Sequence, residues 1–262
     1  MEFDFKKSLG QNFLRDSNII RKIVDSAEID KDTLVIEIGP GEGAISELIV
    51  SKAKYALLYE IDNRLKTYLD RKLSFFDNYK IIYNDFLKEN IKDELNNYSY
   101  DKLFVVANLP YYITTPIVEK IIDDDILPDK MVLMMQKEVA LRYSASVNTK
   151  SYGSLTVLLN YYYDIDKLFD VSSKSFIPEP KVDSSVICMK KKNNRLLVKD
   201  IGFFKKLVRD SFKFKRKTLK NNLRNYDLDV ISKVLDKYDL DLNVRAESLS
   251  LDIFVDMANE LI

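Results

Sequence analysis

The chain has 262 residues, with 41 Lys or Arg against 41 Asp or Glu, 46% apolar and 31% charged, the composition of a soluble globular protein longer than one typical domain. It holds no histidine and one cysteine, Cys188, which excludes histidine triads, histidine acid–base catalysis, histidine metal ligation, an internal disulfide and a multi-cysteine metal site. No apolar run is long enough to span a bilayer and no basic-then-apolar signal segment opens the chain, so a protein of the reducing cytoplasm without membrane or metal is expected.

Ile19, Ile20, Ile23 and Val24 recur at helical spacing and predict a helix over 17–29, with Asp16 or Ser17 as its N-cap. Strands follow, centred near Val35, Leu57, Ile81, Val105, Val132, Val157 and Val186, with helices between them as far as about Met189. Repeated strand-then-helix order implies a mainly parallel sheet covered on both faces, with ligands at the carboxyl ends of the strands. Cys188, inside the apolar run Val186–Met189, is read as a buried strand residue rather than a nucleophile. Lys190 to Arg195 is a polar, basic linker, and helical patterns near 200–213, 216–225, 227–237 and 250–261 come after it. The fold class is therefore α/β: a doubly wound, Rossmann-like sheet domain over 1–190 and a small all-helical domain over 191–262.

The strand at Leu34–Ile38 runs into Gly39-Pro40-Gly41-Glu42-Gly43, a loop with three of the six glycines in the chain. Such glycines let a ligand approach main-chain N–H groups without a side chain in the way. The spacing Gly-x-Gly-x-Gly, preceded by Glu37, differs from the pyrophosphate-binding Gly-x-Gly-x-x-Gly. An acid there repels a pyrophosphate and attracts the cationic amino and sulfonium groups of S-adenosylmethionine. Tyr55 to Tyr59 ends at Glu60-Ile61-Asp62, roughly 20 residues further on, where a carboxylate binds ribose hydroxyls in a doubly wound fold, and Glu60 is the choice for that role. Lys80 to Tyr83 ends at Asn84-Asp85, and Asp85 suits the adenine amine of the cofactor. Each acid taken singly reads first as a solvated loop end; together they form a series at successive strand ends.

The fourth member is Asn108-Leu109-Pro110-Tyr111, directly behind the apolar run Leu103–Ala107. The Asn108 amide oxygen and the Pro110 carbonyl can accept the hydrogens of an exocyclic amine while the Tyr111 ring stacks on the base. Read in isolation, the same four residues make an ordinary strand-ending turn. Methyl transfer from a sulfonium to an amine needs no histidine, because the leaving group is already activated and catalysis is mainly alignment and electrostatics.

Zero formal charge hides an uneven distribution. Between Lys190 and Arg224, 14 basic residues stand against Asp200 and Asp210 alone. Such a block is either a solvated helix face or a nucleic-acid-binding arm.

These motifs together resemble the KsgA family of small-subunit ribosomal RNA adenine dimethyltransferases, related to the Erm enzymes. The resemblance runs from Lys7-Ser8-Leu9-Gly10-Gln11-Asn12-Phe13-Leu14 through the four strand-end motifs. It continues through Gln136–Ala140, Tyr152–Leu155 and Phe176–Ser184 to Lys215–Leu223 and Arg245–Ser250. It implies a class I methyltransferase fold and S-adenosylmethionine contacts at Asn12, Leu14, Gly39, Glu60, Asp85 and Asn108. Asn108, Pro110 and Tyr111 would be catalytic, and Phe176, near Pro178, a second base-stacking residue, although Phe176 also reads as core packing. Lys213, Lys215, Arg216, Lys217 and Lys220 would meet rRNA phosphates. The implied reaction is dimethylation of two adjacent adenosines in a loop near the 3′ end of small-subunit (16S) rRNA, by a monomer acting on an immature small subunit. The alternatives are an Erm-like enzyme of large-subunit rRNA and an assembly factor whose binding matters more than its methylation. One departure from the family pattern is Tyr112, where many relatives have Asn.

Overall fold

The computed structural model describes residues 11–262. The described chain divides into two compact units: one takes residues 11–140 together with Ile165–Lys191, and the other takes Leu141–Asp164 together with Lys192–Ile262. The elements in chain order are β1 (Phe13–Leu14), α1 (Ser17–Ala27), β2 (Thr33–Ile38), α2 (Ser46–Lys52), β3 (Tyr55–Tyr59), α3 (Lys66–Lys72) and β4 (Tyr79–Ile82). Then come α4 (Ile91–Leu95), β5 (Lys102–Asn108), α5 (Thr114–Asp123), β6 (Lys130–Gln136), α6 (Lys137–Tyr143), α7 (Ser154–Tyr162) and β7 (Tyr163–Val171). Last are β8 (Phe176–Ile177), β9 (Ser184–Lys191), α8 (Ile201–Ser211), α9 (Leu219–Asn222), α10 (Leu228–Asp236) and α11 (Leu251–Glu260).

The first unit is built on a seven-stranded sheet in the order β4-β3-β2-β5-β6-β9-β7. Neighbours from β4 through β6 run parallel, and β9 lies antiparallel to β6. All six residues of β2 are buried, as a strand covered on both faces requires. On one face Ile23, Val24 and Ala27 of α1 and Ile49 and Val50 of α2 share a core with Val35, Ala56, Leu58 and Val106. Asp16 is the N-cap of α1, its side chain accepting from the N–H groups of Asn18 and Ile19. Cys188 is buried in β9 opposite Val132, and burial pushes its thiol up, as a packing residue requires.

The position of the site follows from connectivity. From β2 the chain winds outward through β3 and β4, then crosses back to place β5 on the other side of β2. The strand order reverses between β2 and β5, and the carboxyl ends of those two strands open the crevice in which doubly wound sheets bind ligands. A separate two-stranded ladder pairs Phe13 with Ile177 and Leu14 with Phe176.

Two sequence expectations are corrected. The strand expected near Val157 is the helix α7, in which seven of nine residues are buried; a short run buried all round carries no period to separate helix from strand. The strand lies just beyond, in β7, whose middle is exposed or half-buried and whose sequence carries Asp164, Asp166, Lys167 and Asp170. The second unit also reaches further back than the 190/191 boundary, because Tyr161 of α7 packs against Phe204 of α8, with ring centroids 5.0 Å apart. Phe212 sits between Tyr152 and Phe254 at 6.1 and 5.8 Å. Leu207, Leu219, Leu235, Leu249 and Phe254 complete that core. No helix of the described residues is long and apolar enough to cross a membrane.

Candidate active site

A cleft at the carboxyl ends of β2, β3, β4 and β5 is lined by Asn12, Leu14, Gly39, Glu60, Asp85, Asn108, Leu109, Pro110 and Tyr111, together with Glu37, Phe86 and Tyr112. The glycine loop forms its floor. Gly39 and Gly41 sit at φ +72° and +60°, a region that costs other residues dearly. A Cβ on Gly41 would stand 2.7 Å from the Phe13 ring, so β1 closes on the loop only because that residue is glycine. The Gly39 N–H donates to the Tyr59 carbonyl at 2.9 Å, which ties the loop to the end of β3.

Glu60 is held by the same loop. Gly41 N–H donates to its Oε2 at 3.0 Å and Asp62 N–H to its Oε1 at 2.8 Å, which fixes the carboxylate and leaves each oxygen able to accept another hydrogen. Burial raises its pKa, and those N–H groups partly offset the rise. Glu37 differs: it is 2% exposed, its Oε2 has no hydrogen-bond partner among the described residues, and burial pushes its carboxyl up to about 8. A buried carboxyl in the wall of a cleft is costly to ionise, the Ser46 hydroxyl offsets only part of that cost, and a cationic ligand group would offset more. The residues present therefore fit a cationic, ribose-bearing cofactor.

Asp85 stands just past β4. Its Oδ1 accepts from Leu87 N–H at 3.0 Å, and Lys88 Nζ lies 3.9 Å from Oδ2, which leaves Oδ2 able to accept from an amine. Phe86 next to it is buried edge-on against Tyr59, at 5.2 Å and 85°.

At the end of β5, Asn108 Nδ2 donates to the Asn12 carbonyl at 3.3 Å. A carbonyl can only accept, so this bond sets the amide's orientation and leaves Oδ1 without a partner among the described residues. The Tyr111 hydroxyl bonds the Ser184 hydroxyl at 2.6 Å, which pins the ring, and burial raises its pKa. The Pro110 carbonyl does not fill its expected role. It already accepts from Ile113 N–H at 3.2 Å and Thr114 Oγ1 at 3.0 Å, so both lone pairs are spent on starting α5. The Leu109 carbonyl has no partner among its neighbours in the turn, while the Leu109 N–H donates to the Met134 carbonyl at 3.0 Å. The Leu109 carbonyl, not that of Pro110, is therefore open to a donor from outside the chain.

A family model described as ribosomal RNA adenine dimethylase matches residues 2–262. The chain belongs to the ribosomal RNA adenine dimethylase family. It is similar to a ribosomal RNA small subunit methyltransferase A of Streptococcus pneumoniae, 45% identical over 99% of this chain and 92% of the relative. It is also similar to one of Staphylococcus aureus, 44% identical over 98% and 90%. Among solved structures, a dimethyladenosine transferase from Plasmodium falciparum superposes with a TM-score of 0.78 at 26% identity, covering 94% of this chain and 95% of that one. The 23S rRNA methyltransferase ErmE gives 0.72 at 26% identity, covering 95% and 99%. The fold is that of a Rossmann-like methyltransferase.

Within this dimethylase the remaining expected residues fall in three places. Lys7 to Gly10 lie outside the described residues, whereas Asn12, just before β1, and Leu14, within it, line the cleft. Phe176 is 2% exposed, shares the core with Leu14 and does not line the cleft. Its pairing in β8 turns the ring inward, so it packs where a base-stacking role was expected. Lys213, Lys215, Arg216, Lys217 and Lys220 belong to the second unit, all exposed and none in an ion pair among the described residues.

Sequence reasoning missed Gln11, whose Nε2 donates to Asp62 at 2.8 Å, the Arg15–Glu42 ion pair at 2.7 Å, and Phe86. An aromatic directly after the strand-end acid was a usable signal for Phe86. Nothing local signals Gln11, which meets Asp62 from 51 residues away.

Proposed function

We propose that this dimethylase transfers methyl groups from S-adenosylmethionine to the exocyclic amines of two adjacent adenosines near the 3′ end of small-subunit (16S) rRNA, acting as a cytoplasmic monomer on immature small subunits. The observation that carries the reading is the convergence of Gly39, Glu60, Asp85 and Asn108 on one cleft. When bound, S-adenosylmethionine supplies a methyl group on a sulfonium, an activated leaving group. Glu37 and the Gly39–Gly41 backbone hold the cationic amino-acid end. Glu60 accepts the ribose hydroxyls and Asp85 the adenine amine. Asn12 and Leu14 close the cleft from β1 and the residue before it.

The substrate adenosine leaves its stack at a cost of a few kcal/mol, less in an unpaired loop. Stacking on Tyr111 returns about 1–3 kcal/mol. Asn108 Oδ1 and the Leu109 carbonyl accept the two amine hydrogens and aim the nitrogen lone pair along the line of transfer. The methylated amine is acidic and gives its proton to water, so no general base is needed, in keeping with a chain that lacks histidine.

Support for the small-subunit substrate comes from relatives at 44–45% identity along nearly their whole length, against 26% for the large-subunit enzyme of similar fold. The test is incubation with methyl-labelled cofactor and immature small subunits, followed by digestion of the RNA. Dimethyladenosine in small-subunit RNA is expected. Label confined to large-subunit RNA would reverse the assignment, and binding without label in adenosine would remove it.

A further inference from the structure

Phe214 stands in the loop between α8 and α9 with 56% of its surface exposed. Its neighbours Lys213, Lys215, Arg216 and Lys217 are all exposed, with no acidic residue from Ser211 to Tyr226. The loop is fastened rather than slack. Asn222 Oδ1 accepts from Phe214 N–H at 3.1 Å, and Asn222 Nδ2 donates to the carbonyls of Ser211 at 2.7 Å and Phe214 at 3.3 Å. Lys217 N–H also donates to the Phe214 carbonyl at 2.9 Å. Both backbone groups of Phe214 are thus satisfied, and an ordered turn presents its ring outward.

The contrast with Phe212, two residues earlier, is direct. Phe212 packs between Tyr152 and Phe254, whereas Phe214 has no aromatic partner among the described residues, only the Lys213 ammonium 5.8 Å from its ring centroid. The Lys215 ammonium reaches the Lys150 carbonyl, which gathers a further exposed cation from a second loop. An aromatic face bordered by unpaired cations combines the two features that grip unpaired nucleic acid: a ring for the base and positive charge for the phosphates on either side.

We propose that Phe214 is a stacking platform for one unpaired base of the RNA substrate, with Lys213, Lys215, Arg216 and Lys217 holding the adjacent phosphates. This rests on the rRNA substrate argued above and adds a base contact to an arm that charge alone would make a phosphate clamp. Stacking and charge separate in salt, because removing a ring releases no counterions, whereas removing one cation lowers the salt slope by about 0.7 on single-stranded RNA.

The experiment measures binding of the full-length protein to unmethylated small subunits across a potassium chloride series. Phe214→Ala is expected to weaken binding roughly 5- to 150-fold with an unchanged slope, Phe214→Tyr to stay within about twofold of the parent, and Lys217→Ala to flatten the slope. Phe214→Ala within about twofold of the parent, or Phe214→Leu as tight as the parent, overturns the proposal, since any apolar side chain would then serve. Should Phe214→Ala fail to fold, Phe214→Leu against Phe214→Tyr at matched thermal stability decides the question. If the parent protein neither binds small subunits nor methylates them, the proposed function falls and this inference with it. If the parent binds and Lys217→Ala acts as expected while Phe214→Ala is silent, only this inference falls.

Discussion

The cleft of the first unit and the basic loop of the second handle charge in opposite ways. In the cleft the two acids beside the glycine loop are buried: Glu60 is clamped between the N–H groups of Gly41 and Asp62, and Glu37 keeps one oxygen unpaired. Around Phe214 the cations are numerous, exposed and free of ion pairs among the described residues. A buried, oriented group acts strongly over one bond length and is little affected by salt, whereas an exposed cation acts weakly, over about a Debye length, and adds to its neighbours. The first arrangement can align atoms for a reaction; the second can only attract and hold a polyanion.

The sharpest way to separate the two is Asn108→Ala. Loss of the oriented Oδ1 is expected to lower kcat by about 10²–10³-fold while leaving small-subunit affinity within about twofold, as read by single-turnover methyl transfer and by binding. In cells the same variant tests the assembly-factor reading: growth and subunit maturation equal to the parent, where a deletion is impaired, would assign the main role to binding.

Next in size is Gly41→Ala. The left-handed backbone alone costs an alanine about 1–2 kcal/mol, and the new methyl meets the Phe13 ring. Cofactor affinity should drop about tenfold or more with a lowered Tm, seen by calorimetry and thermal unfolding. The equivalent change at Gly202, a helical position without positive φ, should leave cofactor binding unaltered.

A smaller, pH-dependent effect belongs to Glu37. Burial lifts this carboxyl from its ordinary 4.5 to about 8, so between those values the folded protein keeps a proton that the unfolded chain gives up. Its stabilising contribution is complete below about 4.5 and is lost as pH rises toward 8. Glu37→Gln should therefore flatten Tm over that range and raise it at the upper end, while weakening the cofactor. In the parent, cofactor binding near pH 7 should release a proton, because a cationic ligand favours the ionised carboxylate. Heats of binding that do not depend on the ionisation enthalpy of the buffer would rule this out.

The smallest expected effect comes from the arm. Arg216→Ala should weaken small-subunit binding only a few-fold at moderate salt and reduce the slope by about 0.7, with kcat at saturating RNA unchanged. A large loss of kcat would mean that the arm also takes part in alignment.

The series Gly39, Glu60, Asp85 and Asn108 was readable because each residue lies at or just past the carboxyl end of a strand, and those ends in a doubly wound sheet share one edge. The helix α1 was readable from its period and cap, with Asp16 confirmed as the capping residue. Val157 was misread because α7 is buried all round and so lacks a period, and β7 went unseen because its polar, exposed middle imitates a loop. Pro110 was chosen as an acceptor from its place in the motif, yet the start of α5 consumes its carbonyl through Ile113 and Thr114.

By itself the sequence determined the parallel strands that carry the site, the glycine loop and the chemical kind of each strand-end group, since these depend on neighbours a few residues away and on backbone sterics. Only the tertiary structure decided that Leu109 rather than Pro110 offers an open carbonyl, that Phe176 faces the core, that Leu141–Asp164 joins the C-terminal helices and that Phe214 stays outside. Those outcomes depend on which distant groups compete for the same hydrogen bond or the same apolar surface, and the winner is set by packing across the fold.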